Sequence, residues 1–490
     1  MSVMHRAKDG PKMLGSRATH GECAASHRGW LAAGLAAALG FLGTAHSAPN
    51  ILLIIGDDMG VETVASYGLG ENPPMTANLD DLAQDGVRFT NFWSQPVCSP
   101  TRATVITGRY GFRTGVGRPV TNRGELPEPP PIPEWALANT SPGMGGGGMG
   151  ADGLQGLPRP GLGIDEYTLP QAFDANAHLG YSTAAIGKWH LADAENGWLA
   201  HPNRIGFDHY SGGATGGVAS YFAWNKVVDG EVAGAVGYAP TDKVDDAIDW
   251  IEAQGGNPWF MWFGFNLPHT PLHTPPDDTR TGTSDGEYAA MIETMDAQIG
   301  RLLAAIEPDV LQDTFVIFMG DNGTPSGNVT APFQPGRAKG AVYQGGVNVP
   351  FIVTGPGVQR GAVSDALVNS TDLFVTIMEM AGIDPAEAIP EDVTHDSVSF
   401  LATLSDPTAS TREWVYADEF YGGFAGVETA DYAMRDERYK LLRFNGVEEF
   451  YDLQVDPYEH NNLLAGELSL EENTAYATLR AEVEKLRAGR

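Results

Sequence analysis

The sequence predicts an α/β fold: a large mixed, mostly parallel sheet sandwiched by helices, followed by a smaller antiparallel sheet packed by a helix. Three observations predict it: uninterrupted apolar runs, helical patterns that alternate with them, and a change to short, closely spaced strands near the C-terminus. The chain has 490 residues, of which 42% are hydrophobic, enough for one large domain and a smaller one.

Apolar runs and helical periodicity alternate along most of the chain. The runs predict strands at residues 50–55, 183–186, 259–265, 314–319 and 350–354. The periodic segments predict helices at residues 76–84, 168–178, 241–254, 288–306 and 371–381. Because strand and helix alternate, we expect helices on both faces of one sheet.

The pattern then changes to four short strands, which indicate an antiparallel sheet. They are predicted at residues 413–417, 432–434, 439–444 and 449–453. A last helix at 471–486 would cover this sheet with one apolar stripe formed by Tyr476, Leu479, Val483 and Leu486. We therefore expect a large α/β domain at 48–385 and a smaller α+β subdomain at 386–490.

The charge balance excludes some classes of function. Lys and Arg number 30 against 62 Asp and Glu, which gives a net charge of −32. Nucleic-acid binding by broad phosphate neutralisation is therefore not expected. An anion site in so acidic a protein has to be a local basic island.

Residues 1–47 are predicted to be a signal peptide. Basic residues precede an apolar run at 30–43, and small residues follow it. A membrane anchor is the alternative, but the run is shorter than the ~20 residues of a spanning helix. We expect cleavage, a periplasmic or secreted product and no membrane attachment afterwards. Cleavage would leave Cys98 as the single cysteine, either buried and inert or chemically special.

Residues 124–163 are rich in Pro and Gly and show little periodicity. Such a segment is typical of a long surface loop inserted in the large domain. Two interpretations remain open, a tolerated insertion and a lid that gates the substrate.

Two predicted strands each run through a glycine into a pair of oxygen-bearing side chains. Asp57 and Asp58 follow the first strand, and Asp321 and Asn322 follow the strand at 314–319. Ligands bind at the carboxyl ends of strands in open α/β sheets. Three carboxylates and an amide suit Ca²⁺ or Mg²⁺. The alternative is two ordinary Asp-rich turns.

The segment after Val97 predicts a helix. Ser99 is a good N-cap, Pro100 suits the first turn, and Gly108 suits the stop. Cys98 would then lie at the positive end of the helix, with Arg102 one turn away. An activated thiol and a merely structural helix are both compatible with this pattern.

Polar side chains follow other predicted strands or lie in glycine loops. Lys188 and His190 follow the strand at 183–186, His269 follows the strand at 259–265, and Lys339 precedes Gly340. Strand ends and glycine loops are where catalytic groups are usually presented, although a single Lys or His is more often a surface residue.

Together these segments resemble the type I sulfatases of the alkaline phosphatase-like superfamily. The resemblance runs from about residue 50 to 463 and rests on CSPTRATVITGRYGFRTGV, GYSTAAIGKWHL, GDNG, AKGAVYQGGVNVPFIV and YKLLRFNGVEEFYDLQVDPYEHNNL. The first is the most specific, since Cys-Xaa-Pro-Xaa-Arg resembles the sequence at which the family's cysteine is oxidised. One position departs: Gln344 stands where many members have an acidic residue.

The resemblance implies that a formylglycine-generating enzyme converts Cys98 to formylglycine (3-oxoalanine). It implies a metal site of Asp57, Asp58, Asp321 and Asn322 that holds Ca²⁺ rather than Mg²⁺. The other matching positions have these implied roles: Arg102 holds the formylglycine side chain, Lys188 and His190 lie beside the nucleophile and sulfate, and His269 and Lys339 lie near the leaving oxygen.

The implied activity is that of a sulfuric ester hydrolase, an arylsulfatase-like enzyme with sulfated carbohydrates among its candidate substrates. The hydrated formylglycine would be the nucleophile. Two alternatives stay open: a phosphodiesterase or phosphonate monoester hydrolase of the same superfamily, and an exported acidic Ca²⁺-binding protein with an inactive site.

Overall fold

The computed structural model describes residues 48–140 and 157–489. The predicted signal peptide and the central part of the Pro/Gly-rich loop lie outside these ranges. Within the described ranges, no helix combines the length and apolar character that a membrane crossing requires.

The larger sheet has ten strands in the described part of the chain. They are β1 (Asn50–Gly56), β2 (Val87–Trp93), β3 (Ser182–Lys188), β4 (His209–Gly213), β5 (Ala223–Val228), β6 (Glu231–Val236), β7 (Trp259–Gly264), β8 (Thr314–Gly320), β9 (Phe351–Thr354) and β10 (Ala362–Asn369). Their spatial order is β10-β2-β9-β8-β1-β7-β3-β4-β5-β6.

The centre of this sheet is parallel, as predicted. β1 lies between β7 and β8 and runs parallel to both, and β3 runs parallel to β7 and β4. β1, β7 and β8 are buried at every position, which explains their uninterrupted apolar sequences. Antiparallel pairs with β9 and among β4, β5 and β6 make the sheet mixed.

Helices cover both faces of the larger sheet. The α-helices of the described residues are α1 (Ala77–Asp85), α2 (Cys98–Thr107), α3 (Gly111–Thr114), α4 (Leu169–Ala175), α5 (His201–Arg204), α6 (Ala239–Ala253), α7 (Glu287–Ala305), α8 (Pro308–Gln312), α9 (Gln344–Val347), α10 (Leu373–Met380), α11 (Pro385–Ala388), α12 (Leu401–Ser405) and α13 (Leu470–Ala488). Alternate residues of β1 pack against α2, α4 and α10 on one face and against α1, α6 and α7 on the other.

The second sheet is antiparallel, as the sequence predicts. Its strands are β11 (Val415–Glu419), β12 (Asp431–Arg435), β13 (Tyr439–Phe444) and β14 (Val447–Asp452), in that order. Leu479 and Val483 of α13 are buried against one face. The other face packs against Trp93 of β2 and Val342. The fold class predicted from the sequence is therefore confirmed.

Five strands of the larger sheet were not predicted. β2, β4, β5, β6 and β10 lie toward the two edges, and their sequences are short, glycine-containing or partly exposed. β6 shows the extreme case, since all its residues are exposed or half-buried and its strand pairing is with β5 alone. The predicted helix at 168–178 is also shorter than expected, because α4 ends at Ala175.

Candidate active site

The two acidic turns meet at the carboxyl ends of neighbouring strands. Gly56 of β1 pairs with Gly320 of β8, so the residues that follow the two strands lie side by side. The backbone N–H of Asp58 donates to Asp321 Oδ1 at 3.1 Å, and Asn322 Nδ2 donates to Asp58 Oδ1 at 2.9 Å. Asp57, Asp58, Asp321 and Asn322 are all buried, so the predicted juxtaposition is present.

These residues fit a hard divalent cation. Asp57 Oδ1 and Asn322 Oδ1 are buried and have no hydrogen-bond partner among the described residues. Buried oxygens without partners are costly unless a ligand satisfies them. Asp57, Asp58 and His269 each offer a ligand atom, and these atoms lie within 4.8 Å of one another. The carboxylate and amide oxygens suit Ca²⁺ or Mg²⁺, whereas His269 would add a nitrogen donor.

The acidic cluster is matched by basic side chains. Lys188 Nζ donates to Asp57 Oδ2 at 2.6 Å, and Lys339 Nζ donates to Asp58 Oδ1. Burial raises the pKa of Asp57, against the opposing effect of Lys188. Burial also acts to raise the pKa of Asp58, but Lys339 and other cations outweigh it and the net shift is downward. Burial and then Asp57 raise the pKa of Asp321 to about 6.

Cys98 is the first residue of α2, and it is buried. Its Sγ lies 3.2 Å from His190 Nδ1. Burial raises the pKa of the thiol, against the opposing charge of Lys188. The helix therefore places Cys98 at its N-terminus, beside His190, and Cys98 lines the same cleft as Asp58 and Lys339.

The N-cap prediction for α2 was wrong by two residues. Val97 occupies the N-cap, and Ser99 lies inside the first turn without capping the helix. Instead, Ser99 Oγ donates to the carbonyl of His190 at 2.8 Å and accepts from the backbone N–H of Val120 at 3.2 Å. A tertiary contact has therefore replaced the local one. The predicted stop at Gly108 is confirmed by its left-handed conformation, with φ 68°.

Arg102 links α2 to two strands. Its guanidinium donates to Asp321 Oδ2 at 2.9 Å and to the carbonyl of Lys188 at 2.8 Å. The side chains of Arg102 and Asp321 are both fully buried. A buried charge is stable only when it is paired and hydrogen-bonded, so Arg102 fixes the relative positions of the two segments.

Lys188 is the last residue of β3, and His190, two residues later, lies beside Cys98. His190 has a left-handed backbone with φ 63°, as does Asp58 with φ 71°. Non-glycine residues in this region are strained and cluster at functional sites. Burial and then the charge of Lys188 lower the pKa of His190 well below its usual range, so its imidazole is neutral at neutral pH in this structure.

His269 and Lys339 both lie beside Asp58, whereas Lys188 pairs with Asp57. His269 Nε2 lies 3.9 Å from Asp58 Oδ2, and its side chain is 21% exposed, as is that of Lys339. Burial lowers the pKa of His269 to about 4 despite the opposing effect of Asp58. Asp58 outweighs burial at Lys339 and raises the pKa of its ammonium.

A cleft of about 900 Å³ opens onto this cluster, and Cys98, His190, His269 and Lys339 are among the residues that line it. Leu126, Pro127 and Pro129 line it, so the described part of the Pro/Gly-rich segment forms one wall. Arg118 and Arg123 also line it, and the sequence analysis did not single them out. The sequence does offer a sign of them, since two arginines within a six-residue segment are unusual in so acidic a chain.

Gln344, the position that departs from the family, contacts a carboxylate from a distant segment. Glu459 Oε2 accepts from the backbone N–H of Gln344 at 2.7 Å, and Glu459 also pairs with Lys440 at 2.6 Å. A carboxylate therefore lies beside Gln344, supplied by the segment after β14.

Comparison with known proteins identifies the family. Residues 49–383 match the family model "Sulfatase". The chain belongs to the sulfatase family. Residues 338–489 of this sulfatase also match the model "N-sulphoglucosamine sulphohydrolase, C-terminal".

Named relatives of this sulfatase are sulfatases as well. It is 29% identical to N-acetylgalactosamine-6-sulfatase of Sus scrofa over 410 residues, which cover 78% of this chain and 70% of the relative. It is 28% identical to arylsulfatase A of Bos taurus, with 88% and 80% of the two chains covered. The protein is therefore a sulfuric ester hydrolase, and the phosphodiesterase alternative is not favoured.

A solved structure supports the fold. The crystal structure of Ps i-CgsB in complex with a neocarrahexaose is similar with a TM-score of 0.71 at 24% identity, covering 90% of this chain and 93% of that one. Family membership also brings the general expectation of a formylglycine and a divalent metal, for which Cys98 and the acidic cluster are the fitting residues.

Proposed function

We propose that this sulfatase removes sulfate from a sulfated carbohydrate, with a formylglycine derived from Cys98 and with Ca²⁺ held by Asp57, Asp58, Asp321 and Asn322. The observation that carries the proposal is the position of Cys98. It begins α2, lies 3.2 Å from His190 and faces buried carboxylate and amide oxygens that lack partners among the described residues.

The two groups that the family uses would supply distinct chemistry when they are present. Formylglycine would supply a nucleophilic hydroxyl, and the divalent cation would act as a Lewis acid toward the sulfate. Arg102 orients the first turn of α2 through its bonds to Asp321 and to the Lys188 carbonyl. Lys188 contributes a buried positive charge where sulfuryl oxygens would be bound. His190 is neutral at neutral pH in this structure and is within reach of position 98 as a base.

The leaving alcohol requires a proton donor or a positive charge. Lys339 is cationic at neutral pH, because burial, which would lower its pKa, is outweighed by Asp58 and the net shift is upward. Without a bound cation, His269 is neutral there, since its pKa is about 4. We therefore assign the stabilising charge at the leaving oxygen to Lys339 and a positioning or proton-transfer role to His269.

A carbohydrate substrate is supported by the relatives and by the cleft. The pig relative is named for a sulfated amino sugar, N-acetylgalactosamine 6-sulfate. The cleft volume of about 900 Å³ is at the upper end for small-molecule sites and would accommodate more than one sugar ring.

The mass of the peptide that spans Cys98 tests the proposal, on protein purified from its own source. Formylglycine at this position is the expected result, because Pro100 and Arg102 match the maturation motif. An unmodified thiol at full occupancy would contradict the proposed nucleophile. Metal analysis of the same sample is expected to find Ca²⁺ at one ion per chain.

Export completes the proposal. We assign residues 1–47 to a signal peptide that is removed during secretion or transfer to the periplasm. N-terminal sequencing of the protein from its own source is expected to begin near Ala48. Recovery of the full N-terminus from an exported fraction would contradict this assignment.

A further inference from the structure

The active-site cleft carries positive charge that the proposed hydrolysis does not use. Arg118 and Arg123 line the cleft together with Lys339, His190 and His269. The only carboxylate among the described lining residues is Asp58, which is assigned to the cation. The chain as a whole has a net charge of −32. The cleft is therefore the local basic island that anion binding in this protein requires.

The two arginines differ in what they contact. Arg118 Nη1 lies 2.8 Å from Glu419 Oε1, whose side chain is almost fully buried. The Arg118 guanidinium also lies over the ring of Tyr421, 4.2 Å from its centroid. Arg118 is therefore held in place and neutralised by the protein itself.

Arg123 has no such counterion. Between residues 48 and 140 and between 157 and 489, no carboxylate lies within ion-pair distance of its guanidinium. The residue is exposed at the cleft mouth, and partial burial of its guanidinium lowers its pKa. Arg123 lies close enough to His190 to affect its protonation. After burial and Lys188, the charge of Arg123 is the next cause of the lowered pKa of His190.

We propose that Arg123 binds a second anionic group of the substrate, a carboxylate or another sulfate, and that it thereby selects saccharides with at least two acidic groups. This inference rests on the proposed function, since it concerns the substrate of the same site. A planar guanidinium binds carboxylate and sulfate oxygens through paired hydrogen bonds, so it fits either group.

Binding measurements on a non-hydrolysing protein test the proposal. Calorimetry in a Cys98→Ala background compares four ligands. These are N-acetylgalactosamine 6-sulfate, its 4,6-disulfate, the disaccharide of the 6-sulfate with a uronic acid, and the disaccharide of the 6-sulfate with neutral galactose. In this background Arg123→Met is expected to weaken at least one of the two dianionic ligands about tenfold, the contribution of a charge-assisted hydrogen bond. Binding of the two monoanionic ligands is expected to stay within about twofold, because they have no group for Arg123.

Two further variants serve as controls. Arg360→Met removes the same charge from a site where the arginine is 75% exposed and pairs with Asp85, so it reports the effect of net charge alone. Arg123→Lys is expected to recover part of the lost affinity, because lysine restores the positive charge but not the paired hydrogen bonds of the guanidinium.

Each outcome decides the proposal. Selective loss with the uronic disaccharide identifies a carboxylate partner, and selective loss with the disulfate identifies a second sulfate. Three results would overturn the proposal. Affinity for all four ligands could fall equally in Arg123→Met, it could stay unchanged, or the dianionic ligands could bind the parent protein no more tightly than the monoanionic ones. Hydrolysis of 4-nitrophenyl sulfate by the unaltered protein tests the proposed function separately, so a failure of one is not read as a failure of the other.

Discussion

At the scale of single residues, the site balances buried charges of opposite sign. Asp57 pairs with Lys188 and Asp321 pairs with Arg102, and in both pairs the two side chains are fully buried. Asp58 pairs with Lys339 at the edge of the cleft. A buried ion pair adds little to the stability of the fold. Substitution of one partner is nevertheless strongly destabilising, because it leaves an uncompensated buried charge.

The cation is predicted to stabilise the fold. Removal of divalent cations with EDTA is expected to lower the melting temperature, because the clustered carboxylates then repel one another. A ligand present at about a thousand times its Kd contributes about 4 kcal/mol. Differential scanning calorimetry with and without Ca²⁺ measures this difference. Asp57→Asn is expected to reduce the difference in melting temperature with and without Ca²⁺. Asp365→Asn, at an exposed position, is expected to leave that difference unchanged. An unchanged Ca²⁺ effect in Asp57→Asn would remove Asp57 from the ligand set.

The Cys98→Ser variant is predicted to bind substrate without repeated turnover. Serine retains a hydroxyl but cannot form the aldehyde through which sulfate would be released. Release of 4-nitrophenol from 4-nitrophenyl sulfate is expected to stop at or below one equivalent per chain, because the sulfate would stay bound to the serine. Ser99→Ala is the neighbouring control and is expected to remain active, because the Ser99 hydroxyl forms hydrogen bonds only with backbone groups in the described structure. Multiple turnovers by Cys98→Ser would contradict the proposed nucleophile.

At the scale of elements, the site depends on how closely β3 approaches its neighbours. A Cβ at Gly187 would lie 2.0 Å from the carbonyl oxygen of Gly264 on β7, and Gly187 has φ +96°. Both facts require glycine at this position. Gly187 directly precedes Lys188, so the tight packing of strands also fixes the lysine that pairs with Asp57.

Gly187→Ala is therefore predicted to destabilise the protein by about 3 kcal/mol or more, because backbone strain and steric overlap add. Gly213→Ala, on the neighbouring strand β4, is the matched control, since a Cβ there meets no atom within 4 Å. Its effect is expected to stay within about 0.5 kcal/mol. Urea unfolding measures both variants, and equal stabilities would contradict the close approach of β3 to β7.

At the scale of the whole molecule, the second sheet is joined to the larger one by buried polar contacts as well as by the apolar core. Asp418 of β11 accepts from the backbone N–H of Phe112 at 3.2 Å. Its own N–H donates to Gln95, which precedes α2. The Arg487 guanidinium of α13 donates to Tyr416 beside it. The second sheet thus supports the segment that carries Cys98.

Asp418 is predicted to make stability depend on pH. Burial raises the pKa of its carboxyl to about 7, with Arg487 opposing. The folded state therefore binds a proton that the unfolded chain releases near its usual pKa of about 4. This contribution to stability falls as pH rises from about 4 to 7 and is lost above it. Asp418→Asn removes the ionisation and keeps an acceptor oxygen.

Melting curves test this dependence. The gain in melting temperature of Asp418→Asn over the unaltered protein is expected to be larger at about pH 8 than at about pH 5. Asp365→Asn, at an exposed position, serves as the control for the loss of one negative charge. An equal gain at both pH values would contradict a raised pKa at Asp418.

The sequence did not predict the outer strands of the larger sheet or all the residues that line the cleft. Ser99 was predicted to be an N-cap from local preference alone, but a contact with the carbonyl of His190, 91 positions away, determines its role. The edge strand β6 has no buried residue, and its pairing with β5 is a contact that its apolar pattern does not show. Arg123 became a candidate only when the fold placed it on the cleft wall without a carboxylate among the described residues nearby.

The sequence by itself determined the central strands, their parallel character and the position of each acidic pair after its strand. These features are local: a doubly buried strand must be apolar throughout, and a glycine turn must end it. The motif around Cys98 likewise pointed to the family before the structure did. Only the tertiary structure decided which charges pair and which are left free for a ligand. Such pairing joins residues as far apart as Asp58 and Lys339, 281 positions along the chain, and no local pattern encodes it.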